Sequence, residues 1–246
     1  MGSFPKKSSI IFEKYYRVVR ISEKSTELSF LQKIVLLALD DKGWFGASEH
    51  KVKFGLVGAI LFELYMKSRI RFENDEITVI NAKATEDVLL DRVLNLIKTR
   101  KMDRNLRSWI QRIVNTKLLL RKTVLKQLIQ QKILGKEEYR LMVVLYQTKF
   151  PLLEPDLKTR VREQICAGII SGNQLEDYEL MMLVVMNTSR MVKKNFGEFS
   201  QYEKIRERVN AITELKTPSN ESEAVIKLLQ TAISRAIIAS NVGIHL

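Results

Sequence analysis

Helical periodicity runs through this chain with little to interrupt it. Segments such as "ELSFLQKIVLLALDD", "KFGLVGAILFELYMKSR" and "SNESEAVIKLLQTAISRAIIAS" return apolar residues at the spacing of helix turns. Only 4 prolines and 10 glycines occur in 246 residues, so breakers are too few for a fold built on many short strands. A mainly α protein is expected. Hydrophobic residues at 46% and charged residues at 28% describe a globular chain with enough apolar material for a real core. The length suits one large domain or two small ones. No low-complexity linker divides it, which favours a single compact helical domain. Residues 1–26 read as a basic N-terminal arm and residues 27–246 as that domain.

Two segments depart from the helical period. "RIRFENDEITVINA" alternates around Asn74-Asp75, with Ile70, Phe72, Ile77 and Val79 as its apolar positions, and reads as a short hairpin. The segment after Gly135, closed by Phe150-Pro151-Leu152, reads as a second. Each hairpin follows helices, a winged-helix-like layout. Gly55 and Gly58 sit three apart in the second helix and predict close approach by a neighbouring helix. Thr85 is the expected cap of the helix in "TEDVLLDRVLNLIKTRK". Beyond residue 152 four more helices are expected, one of them spanning "LEDYELMMLVVMNTSRMVKKNF".

The motifs of common enzyme classes are missing. There is no phosphate-binding glycine loop of the usual type and no serine in a Gly-x-Ser-x-Gly elbow. His50 and His245 are far apart, and Cys166 is the single cysteine, in the apolar context "REQICAGII". Neither a metal site nor an internal disulfide is expected. Asp87 and Asp91 share a helix face at i, i+4, which suits helix-start charge and ion pairing better than acid–base catalysis. The reading is a protein that is not an enzyme and needs no cofactor. The N-terminus carries neither a signal peptide nor the myristoylation pattern, since Lys6 stands where that pattern needs Ser or Thr. The apolar runs are too short to span a bilayer, so membrane contact would be peripheral.

The chain carries 41 Lys and Arg against 28 Asp and Glu, a formal net charge of +13. That excess fits nucleic acid, an acidic membrane surface or an acidic protein. It is concentrated. Lys98, Arg100, Lys101, Arg104, Arg107, Arg112, Lys117, Arg121, Lys122, Lys126 and Lys132 follow one another with Asp103 as the only acid between. Lys117 and Arg121 are expected on one helix face, Lys122 and Lys126 on another. The hairpin that follows is apolar on both faces, with Leu141, Val143 and Leu145 as one of them. Either both faces are buried or one is exposed beside the cations. In the second case it suits the headgroup layer of an anionic bilayer.

In order and spacing, the blocks "LSFLQKIVLLALDDKG", "FGLVGAILFEL", "DVLLDRVLNLIK", "SWIQRIV" and "LIQQKIL", then the hairpin ending "KFPL" and "LKTRVREQI", resemble the Golgi phosphoprotein 3 family over roughly residues 28–170. That resemblance implies a predominantly helical fold. It implies a peripheral membrane adaptor that binds anionic lipid, phosphatidylinositol 4-phosphate in eukaryotic members. Those members also hold the cytosolic tails of glycosyltransferases, retaining the enzymes in the Golgi, and bind coatomer in vesicle trafficking. It implies a cytoplasmic protein peripheral on membranes, on the Golgi if the source is eukaryotic. It implies a lipid pocket beside a membrane-dipping hairpin at about residues 134–151.

The family's basic pair falls on Leu118 and Arg121, with Lys117 adjoining. The arginine of its glycine-leucine-arginine-glycine block falls on Val57, with Lys51 and Lys53 nearby, and its tryptophan is matched by a displaced Trp44. These departures read as a divergent, prokaryotic-type member. The expected lipid or phosphate site is therefore Trp44, Lys51, Lys53, Lys117, Arg121 and Lys122, with Leu141, Val143 and Leu145 as the membrane-contacting hairpin. Self-association is also compatible with this reading. The runner-up functions are nucleic-acid binding through the basic patch and a lipid-independent interaction scaffold.

Overall fold

The computed structural model describes residues 27–46, 49–100, 105–116, 118–140, 146–171, 173–214 and 217–242. The N-terminal arm, Lys101, Arg104, Lys117, Leu141, Val143, Leu145 and His245 lie outside the described residues. Within them the chain runs α1 (Phe30–Ala38), α2 (Glu49–Met66), β1 (Ile70–Glu73), β2 (Glu76–Val79), α3 (Val88–Thr99), α4 (Leu106–Asn115) and α5 (Leu120–Gln130). It continues through β3 (Glu137–Arg140), β4 (Tyr146–Lys149), α6 (Pro155–Ser171), α7 (Asp177–Thr188), α8 (Val192–Phe196), α9 (Tyr202–Thr213) and α10 (Glu221–Val242). The expected mainly helical fold with two small hairpins is what forms: the strands make two separate antiparallel pairs.

Helix α2 is the centre of the packing. Its residues from Phe54 to Leu64 are buried on every side, as a helix apolar all round must be. It touches α1, α3, α4, α5, α7 and α10. The two glycines explain how so many neighbours fit. A Cβ on Gly55 would sit 2.7 Å from Ser189 Oγ and 2.9 Å from Val185 Cγ1, on and just past α7. A Cβ on Gly58 would sit 2.9 Å from Ile233 Cγ1 of α10 and closer still to its Cδ1. The close approach expected from their spacing is present on two neighbours at once.

The first hairpin also follows its sequence. Asn74 and Asp75 both take positive φ, 50° and 65°, the tight two-residue turn that matches strand twist. Ile70 pairs with Val79 and Phe72 with Ile77. The cap of α3 does not follow. Asp87, not Thr85, accepts the N–H groups of Leu89 and Leu90 at 2.7 and 3.2 Å. Thr85 instead donates its N–H and hydroxyl to the Asp91 carboxylate at 2.7 and 2.8 Å. Glu86 takes φ 67° between them, which turns Thr85 out of the capping position. Both carboxylates thus serve local structure.

The helix expected over "LEDYELMMLVVMNTSRMVKKNF" is two helices. Helix α7 ends at Thr188, Arg190 takes φ 57°, and Met191 N–H reaches back to Met186 O at 2.7 Å, a left-handed helix termination. The break aims α8 at the C-terminus of α1, whose carbonyls would otherwise be orphaned in the interior. Asn195 Nδ2 donates to Leu37 O at 3.1 Å, Lys194 Nζ to Ala38 O at 2.6 Å and Lys158 Nζ to Leu39 O at 2.8 Å. The cations also suit the negative end of the helix dipole. Lys158 is 3% exposed and donates as well to Asp41 at 2.8 Å. That hydrogen bond holds the Asp41 carboxyl below its ordinary range, while burial pulls the Lys158 ammonium below its own. The loop leaving α1 is fixed at its root by these bonds.

Candidate anion site

Residues 40–45 form a turn whose chemistry is written in its sequence. The Asp40 carboxylate accepts the N–H groups of Lys42 at 2.9 Å and Trp44 at 2.8 Å, as Asp does in turns. Gly43 takes φ +86° and lies flat against the second hairpin's base. A Cβ there would come 2.5 Å from the Phe150 carbonyl carbon and 2.7 Å from Pro151 N. Phe150 N–H donates to Gly43 O at 2.9 Å, and Gly135 N–H donates to Pro151 O at 2.8 Å. Loop and hairpin base are therefore one unit. Above that base β3 is exposed along its whole length.

The aromatic residues of the loop diverge. Trp44 packs on Tyr139 of β3, ring centroids 5.6 Å apart, and the Lys149 ammonium lies 5.8 Å from the Tyr139 ring. Phe45 turns the other way, edge-on to Phe150 at 6.1 Å, and carries the Arg121 guanidinium 4.4 Å above its ring. Arg121 also forms an ion pair with Glu49, at the first turn of α2.

Beside Arg121 a cavity of about 180 Å³ opens between three helices. Lys53, Leu56 and Val57 of α2 form one wall, and Ile113, Val114 and Thr116 at the end of α4 form another. The third is the start of α5: Leu119, Leu120, Arg121 and Lys122. Leu119 occupies the N-cap position with φ 50° and offers no side-chain cap. The first N–H groups of α5 thus remain uncapped by a side chain, at the helix's positive end. Three cationic side chains and that helix terminus meet over an apolar floor, with Glu49 the carboxylate paired at its edge. Chemically this holds an anionic group attached to something apolar.

The structure brings together three of the six expected binding residues: Lys53, Arg121 and Lys122. Lys51 faces elsewhere, because residues two apart on a helix point to different sides. It lies toward the end of α7, where Ser189 Oγ donates to its carbonyl at 3.4 Å. Burial, and then the Arg190 charge, pull its ammonium below the ordinary lysine value. Trp44 does not line the cavity. Lys117 lies outside the described residues. Two participants are absent from the sequence reading. Phe45 adjoins Trp44 and was visible as an aromatic pair in "KGWFG", but Glu49 becomes Arg121's partner only through folding.

Among the described residues no group of three or more His, Cys, Asp or Glu is placed to hold a metal ion. No described helix is long and apolar enough to cross a membrane.

The family model of Golgi phosphoprotein 3 (GPP34) matches residues 31–232. The chain belongs to the Golgi phosphoprotein 3 family. It is also similar to vacuolar protein sorting-associated protein 74 of the fission yeast Schizosaccharomyces pombe, 23% identical over 171 residues. That alignment takes in 61% of this chain and 50% of the yeast protein. The chain thus spans about half the length of this curated relative. In this Golgi phosphoprotein 3 family member the matched region runs from the second residue of α1 into α10, and the cavity at the start of α5 lies wholly within it.

Proposed function

We propose that this chain is a peripheral membrane adaptor that takes an anionic lipid headgroup into the cavity at the start of α5. Family membership supports the adaptor role in general terms. The observation that carries the lipid reading is the meeting of Lys53, Arg121 and Lys122 at an uncapped helix N-terminus, over apolar walls. Arg121 supplies a planar fork for phosphate oxygens, and the two lysines supply mobile charge. Leu118 and Val57 replace two basic positions of the family's phosphatidylinositol 4-phosphate pocket, so the site reads as one for anionic lipid in general, with that phosphoinositide as one ligand. The exposed strand β3 supports membrane contact by Leu141, Val143 and Leu145, which follow it in the sequence. Retention of Golgi glycosyltransferases through their cytosolic tails is the function this reading gives to a eukaryotic member.

The test is sedimentation with vesicles of neutral lipid containing phosphatidylserine or phosphatidylinositol 4-phosphate, beside titration with soluble inositol phosphate. Lys53→Ala and Lys122→Ala should each weaken both kinds of binding severalfold. Glu49→Gln removes the internal competitor for Arg121 and should strengthen both. Val143→Asp should weaken vesicle binding and leave inositol phosphate binding unchanged. Undiminished binding by the Lys53→Ala, Lys122→Ala double variant would sink the site. Binding to duplex DNA that is lost in that variant, with no vesicle binding by wild type, would favour nucleic acid instead.

A further inference from the structure

A second cavity, of about 540 Å³, lies between the start of α1, the end of α2 and α7, and it shares no lining residue with the anion site. Glu63 of α2 lines it and is 9% exposed. No described residue gives the Glu63 carboxyl a hydrogen bond or an ion pair. Removing a carboxylate from water without a partner is strongly unfavourable. Its neighbours sharpen the problem. Asp87, at the cap of α3, lies close enough to oppose ionisation of Glu63, whereas Lys67 favours it but forms no ion pair with it. Glu27 and Lys33 also line the cavity, which therefore holds three carboxyl groups against two ammonium groups.

The remaining walls are aromatic. Tyr178 of α7 stands edge-on to Phe30 and to Phe62, each at 5.3 Å. Gln32 and Gln131 also line the cavity and are joined by a hydrogen bond of 3.0 Å. A buried carboxyl without a partner, beside aromatic rings, is the arrangement that recognises a cation carried on an apolar body.

We infer that this cavity binds a small organic cation, an ammonium or amidinium group on a short apolar stem, with Glu63 as its counter-ion and Tyr178 and Phe30 against the stem. The site is independent of the lipid reading above. Unoccupied, the Glu63 carboxyl is pushed up to about 7, chiefly by burial and then by the Asp87 charge. A bound cation has to find it ionised, so affinity rises with pH through that value.

Benzamidine is a suitable probe, because it stays cationic throughout this range. Calorimetric titration of the whole chain should show saturable binding at pH 8 and binding roughly tenfold weaker at pH 6, the ratio expected when a single group titrating near neutrality loses its proton. Glu63→Gln, which keeps the shape of the side chain, should abolish binding and its pH dependence. Tyr178→Ala should weaken it severalfold. Benzyl alcohol, neutral and of similar shape, should not bind measurably. The inference is overturned by absence of binding at pH 8, by equal affinity at both pH values, or by benzyl alcohol binding as tightly. Equal affinity in a folded Glu63→Gln variant also overturns it. The two wild-type pH arms decide the matter even if that variant fails to fold.

Discussion

Glu63 couples the stability of the whole chain to pH through one carboxyl. Its folded pKa of about 7 stands above the ordinary value of 4.5. Between those values the folded state binds more protons than the unfolded state, so stability falls as pH rises. The contribution is fully present below about pH 4.5 and is lost by about pH 8, a change on the order of 3 kcal/mol. Urea unfolding of wild type and Glu63→Gln at pH 5 and pH 8 isolates it from other titrations. The variant should lack this part of the slope, and identical slopes would show that Glu63 does not titrate in this range. The sequence gives no hint of this residue, because "ILFELY" looks like an ordinary helix with one polar position. Arg121 was legible from local charge, but its partner was not. Glu49 lies 72 residues earlier, and only the packing of α2 against α5 joins them.

The elements that could be read from sequence are those whose cause is local. The Asn74-Asp75 turn needs two left-handed residues and has two that tolerate it. Gly55 and Gly58 announce close packing because a central apolar helix otherwise has no reason to give up side chains. The cap of α3 lies two residues beyond Thr85, because Thr85 and Asp87 are both competent caps and the backbone at Glu86 decides between them. The start of α5 was illegible for a related reason: Leu119 has no propensity for the left-handed conformation it adopts, so its position is imposed by tertiary packing. The glycine packing gives an element-level prediction. Gly58→Ala improves helix propensity by about 1 kcal/mol, yet the new methyl overlaps Ile233 on α10. The variant should be destabilised by roughly 1–3 kcal/mol net. Shortening the obstacle with Ile233→Val in the same chain should recover part of the loss in denaturant titrations. A Gly58→Ala chain as stable as wild type would refute the contact.

At the scale of the whole molecule, the bonds that seal the end of α1 set an order of events during synthesis. The carbonyls of Leu37, Ala38 and Leu39 wait for donors at residues 158, 194 and 195. A nascent chain emerging from the ribosome can coil α1 early, but roughly 120 to 160 further residues must appear before its end is satisfied. Until then the loop that leads to Phe45 has no fixed root, and the wall of the anion cavity that depends on it cannot settle. A fragment of residues 27–153 holds every residue that lines that cavity, yet it should be cleaved by protease far faster than the intact chain and should fail to bind inositol phosphate. If the fragment resists protease and binds normally, the late donors are dispensable. Otherwise the residues from Lys53 to Lys122 that line the cavity acquire their ligand chemistry only after the distant donors Lys158, Lys194 and Asn195 have been made.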